Sequence, residues 1–350
     1  MNTCDDLQYF NFASIVFELT DKCPIRCRSC LRSSSPRNGS VMSYEQVCSI
    51  LDNLGSKGSF REVGFSGGEC FLFPDLLLAL CRYAYQEKGL PSVVSTNGFW
   101  AKTPQVSRTT LKRFADNGLT ALMVSVDDFH LEQLASSCIE NCVKAALDQD
   151  VEVTLQVITT KHSRRIDELR RLLHLDDETE GVVWIENPCD PIGRAAAEVP
   201  RKELEWHPYR HRGVCSILRL VSVRLDGSVC LCCGSGAEAA GLSLGNISTD
   251  SIDQIIERAN RSAVVNLLAI DGGPLSLLEV LEKHGHPELA RRQYTSPCDA
   301  CYAVFSDPAV TQKLAELLQE SWLSYYAMRI GWQTRLIDHL RELKQARVPI

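Results

Sequence analysis

The sequence predicts an α/β chain on a parallel sheet curved toward a barrel, and three observations lead there. Six strand signals alternate with helix signals, 350 residues exceed one ordinary domain, and 45% hydrophobic with 23% charged residues are globular proportions. At roughly 150 residues per domain, two domains or one large α/β barrel with an appendage fit that length.

In order, Ser14 to Leu19 reads as a strand, and Ser43 to Leu54 as a helix capped by Ser43 with Glu45 in its first turn. Glu62 to Ser66 is a short strand running into Gly67 and Gly68, and Pro74 to Glu87 is helical. Ser92 to Thr96 follows as a strand, then a helix from Ser107 to Asn117 stopped by Gly118. Strands at Leu122 to Val126, Glu152 to Ile158 and Val182 to Glu186 complete the set, with helices at Ser136 to Gln149 and Ser163 to His174. Parallel strands joined this way meet their ligands at their carboxyl ends.

Composition removes several function classes. The 37 basic residues are outnumbered by 44 acidic ones, a formal charge of −7, so a nucleic-acid partner has no electrostatic support. The first ten residues lack a cleavable apolar signal, and no uncharged apolar run approaches 18 residues, so a cytoplasmic protein with no membrane partner is expected. Sixteen cysteines in a reducing compartment point to metal or redox chemistry rather than disulfides. They cluster as Cys23/Cys27/Cys30, Cys215 with Cys230/Cys232/Cys233, and Cys298/Cys301; Cys4, Cys48, Cys70, Cys81, Cys138, Cys142 and Cys189 are expected to be mostly small buried hydrophobes.

The first cluster lies directly after the first strand, in Thr20-Asp-Lys-Cys23-Pro-Ile-Arg-Cys27-Arg-Ser-Cys30. Three thiolates in one tight loop can wrap a [4Fe-4S] cubane and leave one iron without a protein ligand, open to a cofactor or substrate. A structural zinc site wants a fourth Cys or His, and none lies between Cys30 and Cys48. Chance spacing in a cysteine-rich chain is the competing reading. At the second strand end, Phe65-Ser-Gly-Gly-Glu69 sets two glycines and a carboxylate where backbone can approach a ligand and Glu69 can take an ammonium group.

Together these motifs resemble the radical S-adenosylmethionine (radical SAM) superfamily over about residues 12 to 190. The resemblance implies a partial (β/α)6 TIM-like barrel, with Cys23, Cys27 and Cys30 holding the cluster and the open iron chelating the methionine end of S-adenosylmethionine. It also implies that Gly67, Gly68 and Glu69 fix the amino group, and that Asn97, Ser125 and Asp127, at the third and fourth strand ends, bind the ribose and sulfonium portions. Local turn chemistry explains Asn97-Gly98 and Ser125-Val-Asp127 equally well. One electron would release a 5′-deoxyadenosyl radical that abstracts hydrogen from substrate, with an electron donor such as flavodoxin or ferredoxin as partner. Two departures stand out: Ser29 where the family usually has an aromatic, and Cys70 where it usually has proline, so the adenine contact must come partly from elsewhere.

Asp127-Asp-Phe-His130 extends the fourth strand end, where His130 and Asp127 are candidate catalytic groups. A helix-capping Asp128 with a surface His130 is the alternative. Asn187 to Arg194 resembles the loop that closes the cofactor site in relatives, and its Cys189 reads as a buried inert thiol or as a thiol near the radical.

The organisation expected is a radical SAM partial barrel over 1–200, a small α+β cluster-binding extension over 201–305, and a helical tail over 306–350. A linker around Trp206 to Arg212 leads to Cys215, a strand from Arg219 to Leu225, the turn Asp226-Gly227-Ser228, and Cys230-Leu-Cys232-Cys233. With Cys298-Asp-Ala-Cys301, this resembles the twitch or SPASM-type extension, implying one auxiliary iron–sulfur cluster on Cys215, Cys232, Cys298 and Cys301; tetrahedral zinc is the alternative. Cys230 and Cys233 are left over, as redundancy, as a substitute ligand, or as the thiol that gives hydrogen to a substrate radical. Ile252 to Leu268 and Leu275 to Lys283 read as helices, and Leu314, Leu317, Leu318, Trp322, Tyr325 and Tyr326 stripe the tail, for core packing or for docking a partner.

The implied activity is modification of a ribosomally made peptide, by epimerisation or crosslinking. Dehydrogenation or rearrangement of a sugar or nucleoside in antibiotic biosynthesis is the alternative, and an iron–sulfur sensor is the alternative from another class. A cluster loop beginning at Cys23 leaves no room before it for a leader-binding domain.

Overall fold

A computed structural model describes residues 12–175, 181–208, 215, 220–270 and 273–318. Six parallel strands, β1 (Ser14–Thr20), β2 (Glu62–Gly67), β3 (Ser92–Thr96), β4 (Leu119–Ser125), β5 (Glu152–Thr159) and β6 (Val182–Pro188), pair in sequence order. Helices α1 (Tyr44–Asp52), α2 (Pro74–Lys88), α3 (Pro104–Ala115), α4 (Asp128–Leu131), α5 (Ser136–Leu147) and α6 (Ile166–Leu172) alternate with them, and the short α7 (Ala195–Glu198) comes after β6. This is a mixed α/β fold with a central sheet flanked by helices.

Local chemistry sets the boundaries. Ser43 and Gln46 form a reciprocal capping box at the start of α1. α3 starts three residues before the expected Ser107, because Thr103 caps it and Pro104 fills its first position, where no amide hydrogen is needed. β4 likewise begins at Leu119, immediately after Gly118, and Leu119 pairs with Ser92.

Beyond the six strands, β7 (His207–Pro208) forms a small antiparallel ribbon with β11 (Gln293–Tyr294). The expected hairpin is present: β8 (Leu220–Val223) and β9 (Ser228–Cys230) pair antiparallel around Gly227, at φ +80°, and β10 (Ser243–Asn246) joins β9. This hairpin does not stand apart from the six parallel strands. β8 pairs parallel with β1, Val16 opposite Ser222, so one nine-stranded sheet runs β10-β9-β8-β1-β2-β3-β4-β5-β6.

The helix expected from Ile252 to Leu268 is two, α8 (Ile252–Arg261) and α9 (Ala263–Ile270), because Ser262 takes extended backbone between them and its hydroxyl accepts from Val265 N. α10 (Gly273–Lys283), α11 (Pro287–Arg291) and α12 (Pro297–Phe305) follow, with 308–318 also helical. Leu314 and Leu318 are buried, as core packing requires, whereas Trp322, Tyr325 and Tyr326 lie outside the described residues, as do 209–212 of the linker, Arg219 and Cys4.

Phe17 stacks on Phe65 between β1 and β2, and each such buried aromatic contributes about 2–3 kcal/mol by leaving water. Among the scattered cysteines, Cys48, Cys70, Cys81, Cys142 and Cys189 are buried and Cys138 is partly buried. No helix among the described residues is long and apolar enough to cross a membrane.

Candidate radical SAM site

The loop leaving β1 carries Cys23, Cys27 and Cys30 back across the carboxyl ends of the strands. Its backbone is held from both sides. Gly68 N donates to Thr20 O at 2.5 Å and Glu69 N to Lys22 O at 2.8 Å. These contacts need glycine: a Cβ on Gly67, at φ +122°, would lie 2.3 Å from Thr20 O, and one on Gly68 would lie 2.1 Å from Lys22 O. From the far side, the buried Arg194, just before α7, donates to Cys27 O at 2.7 Å and Ser34 O at 2.5 Å, and its own amide donates to Cys30 O at 3.0 Å. Sequence reading left Arg194 without a role; an arginine beside Gly193 in the closing loop was its one signal.

Loop and strand ends surround one cavity of about 280 Å³ that opens to solvent. Its wall takes all three loop cysteines, Gly67 and Gly68 from β2, Thr96 and Asn97 from the end of β3, Ser125 from β4, and His130. Polar hydrogens point at two of the thiol sulfurs: Asn97 Nδ2 to Cys23 Sγ at 3.5 Å and Ser34 N to Cys30 Sγ at 3.3 Å. His130 is hydrogen-bonded to Cys27.

Two of the expected cofactor contacts stand behind the wall rather than in it. Glu69 is fully buried; Oε1 accepts from Thr96 Oγ1 at 2.9 Å and Phe71 N at 3.1 Å, and Oε2 from Asn97 N at 2.7 Å. Burial pushes its pKa up to about 7 against the pull of these three donors. Asp127 is also buried. Its Oδ1 accepts from His130 N at 3.0 Å and pairs with His130 Nδ1 at 2.8 Å, while Oδ2 accepts from Ile158 N at 3.3 Å. Asp127, not Asp128, therefore caps α4 and aims His130 into the cavity, while Asp128 is taken by Arg164 at 2.9 Å. Burial lowers the His130 pKa, but Asp127 and the Cys27 sulfur outweigh it and hold the pKa well above the ordinary value. Cys189 also lines the cavity, its thiol pushed up to about 12 by burial.

The C-terminal cysteines divide. Cys215, Cys232, Cys298 and Cys301 are close enough to repel one another as thiolates: beyond the dominant effect of burial, Cys301 is raised by Cys298, Cys215 and Cys232. Burial, Cys298, Cys233 and Cys215 push Cys232 up, and burial, Asp190, Cys215 and Cys233 push Cys298 up to about 12, so Cys233 lies near the same group. Ser296 caps α12 and so sets Cys298 and Cys301 on one helix end, against the turn that follows Cys232. Cys230 is buried at the end of β9, whereas Cys233 is accessible and lines the same cavity as Cys23, Cys27 and Cys30. Among the described residues, no three His, Cys, Asp or Glu side chains converge tightly enough for a single metal ion.

This arrangement defines an iron–sulfur radical enzyme of the S-adenosylmethionine-cleaving kind: a three-cysteine loop on the first strand, a glycine pair on the second, and one cavity between them. Residues 17–177 match the family model "Radical SAM superfamily", and the chain is a radical SAM enzyme of that superfamily. The family implies a [4Fe-4S] cluster and S-adenosylmethionine as cofactors, and the donors aimed at the loop sulfurs, with the backbone of Gly67 and Gly68 in the wall, fit them. YydG of Bacillus subtilis (strain 168), named for peptide biosynthesis, is 22% identical over 303 residues, 84% of this chain and 92% of YydG. Among solved structures, histidine-tagged anSMEcpe with bound AdoMet has a TM-score of 0.52 at 14% identity, covering 88% of this chain and 96% of that one. Native anSMEcpe with bound AdoMet has a TM-score of 0.51 at 13% identity, covering 90% and 99%. Shares of that size carry the likeness in fold past the six parallel strands into the C-terminal extension.

Proposed function

We propose that this enzyme abstracts hydrogen from a residue of a ribosomally made peptide and returns hydrogen to it from Cys233, inverting the carbon centre. The observation that carries this reading is the shared wall: a thiol from the C-terminal extension faces the cavity lined by the three-cysteine loop. YydG, matched over most of both chains, supports a peptide as the substrate.

When bound, the cluster and S-adenosylmethionine supply a 5′-deoxyadenosyl radical by one-electron cleavage of the sulfur–carbon bond. Cys23, Cys27 and Cys30 would hold the cluster, leaving one iron for the methionine end of the cofactor, beside the backbone of Gly67 and Gly68. Glu69 keeps the turn after β2 and the end of β3 in place through its three hydrogen bonds, so Asn97 and Thr96 are presented to the cavity at fixed angles. Asp127 orients His130, which lines the cavity together with Ser125. Cys233 gives its S–H hydrogen to the carbon radical, and one electron and one proton then restore the thiol; an external donor of the flavodoxin or ferredoxin class supplies the electrons. Cys215, Cys232, Cys298 and Cys301 would carry one auxiliary cluster.

The test is an anaerobic assay of the reconstituted chain with dithionite, S-adenosylmethionine and, as substrates, the products of short reading frames sought beside its gene. The reading requires 5′-deoxyadenosine together with a peptide of unchanged mass and inverted residue chirality. A peptide two hydrogens lighter would mean crosslinking, turnover only of an aminosugar would support the sugar alternative, and absence of 5′-deoxyadenosine from cluster-replete protein would leave a sensor.

A further inference from the structure

Six buried side-chain polar atoms among the described residues lack a hydrogen-bond partner, and three of them belong to the wall of this one cavity: Glu18 Oε1, Ser34 Oγ and Ser222 Oγ. Glu18 is nonetheless ion-paired, so the two hydroxyls are the groups left wanting. Buried polar groups in folded proteins are nearly always satisfied, so unsatisfied groups gathered on one cavity mark where a ligand completes them. Ser222 is the clearest. It is 1% exposed, it stands on β8, and β1 separates it from β2, β3 and β4, whose ends carry Gly67, Gly68, Asn97 and Ser125. Its hydroxyl is therefore on the side of the cavity away from those expected cofactor contacts.

Charge on that side cancels. Arg32 pairs with Glu18 at 2.5 Å and with Glu238, and Arg224 pairs with Glu238 at 3.1 Å and with Glu18 at 3.8 Å. Two guanidinium groups and two carboxylates form a closed, neutral ring, of which Glu18 and Arg32 reach the wall, and both act electrostatically on Cys233. That ring offers no uncompensated cation for a phosphate or carboxylate and no free anion for an ammonium, and the wall's other carboxylate, Asp190, accepts from Thr295 Oγ1 at 2.7 Å. Such a wall suits an uncharged group that both donates and accepts hydrogen bonds.

We infer that Ser222, beside the Arg32–Glu18 pair, is a specificity-determining contact that binds an uncharged main-chain amide of the substrate and so brings the reacting residue alongside Cys233. This rests on the peptide reading above and adds the subsite. The hydroxyl donates to the substrate carbonyl or accepts from its amide hydrogen, and Val16, directly opposite Ser222 in register, supplies the apolar floor.

The test is saturation-transfer NMR on the full chain carrying its cluster and S-adenosylmethionine, with N-acetyl-L-alanine N-methylamide as the peptide probe and methyl α-D-glucopyranoside as the sugar probe. The capped residue is expected to bind the native chain, with affinity about tenfold weaker in Ser222→Val and within about threefold of native in Ser222→Thr, which keeps the hydroxyl. Equal affinity in Ser222→Val and the native chain overturns the subsite while leaving a peptide substrate standing. Binding of the glucoside and not of the capped residue overturns both, and so does binding of neither.

Discussion

The guanidinium of Arg194 donates to the carbonyl oxygen of Cys27 at 2.7 Å, across 167 positions of sequence. With Ser34 O as its second acceptor, Arg194 ties both halves of the three-cysteine loop to the segment after β6. Surface pairs on the same loop, Arg26 with Glu198 and Arg28 with Glu132, are screened by water and weigh little beside it. Arg194→Met is expected to leave Ser34 O without a donor and Cys27 O with Cys30 N alone, to cost about 1–3 kcal/mol in urea unfolding, and to lower iron retained after anaerobic reconstitution. Native iron content and an unchanged midpoint would refute this role.

The two cysteine groups are expected to fail separately. Cys27→Ala abolishes 5′-deoxyadenosine formation, while the double change Cys298→Ala and Cys301→Ala removes about four irons per chain and leaves a signal from the first loop. Iron analysis with electron paramagnetic resonance of the reduced protein reads both; loss of all iron in the double variant counts against two centres.

Cys233→Ala removes the thiol from the cavity wall. In D₂O the native enzyme is expected to place one solvent deuterium in each inverted residue, since the S–H exchanges with solvent, whereas the variant consumes S-adenosylmethionine without inversion. Deuterium in the variant's product at the native level would assign the donor elsewhere.

Glu69 gives a pH signature in the ligand-free chain. Its folded pKa of about 7 stands above the ordinary value of 4.5, so between these values the folded state binds the extra proton, and stability from this group falls as pH rises through the window. The loss amounts to about 3 kcal/mol by pH 7.5 relative to pH 4. Urea midpoints of the native chain and Glu69→Gln, compared across that range, should diverge with this slope; parallel curves would show that the three donors keep the carboxylate ionised throughout.

Asp127→Ala is expected to cost about 2–3 kcal/mol, from a lost helix cap and a stranded Ile158 amide. Thermal unfolding measures it, and Asp127→Asn, which keeps an acceptor, should lose less.

Much of this molecule was legible from local signals. β2 and β3 are apolar runs ended by Gly67-Gly68 and Asn97-Gly98, Ser43 announces a helix, and Asp226-Gly227 announces a hairpin, each within a few residues. The three-cysteine loop and the glycine pair were legible for the same reason. The contacts that assemble the site were not. Arg194 meets Cys27, Glu69 meets Asn97, and β8 meets β1 across tens to hundreds of residues, and no periodicity encodes which distant backbone a side chain will reach. Asp127 shows an intermediate case: its place at a strand end was legible, its hold on His130 was not.

The parallel pairing of β8 with β1 makes the extension a lateral seal for the strand that launches the cluster loop. Cutting the chain near residue 200, as if the barrel were a detachable module, would strip hydrogen-bonding partners from one whole side of Ser14 to Phe17 and bare an apolar ribbon edge to self-association. Minimal catalytic fragments should therefore be designed to retain the hairpin.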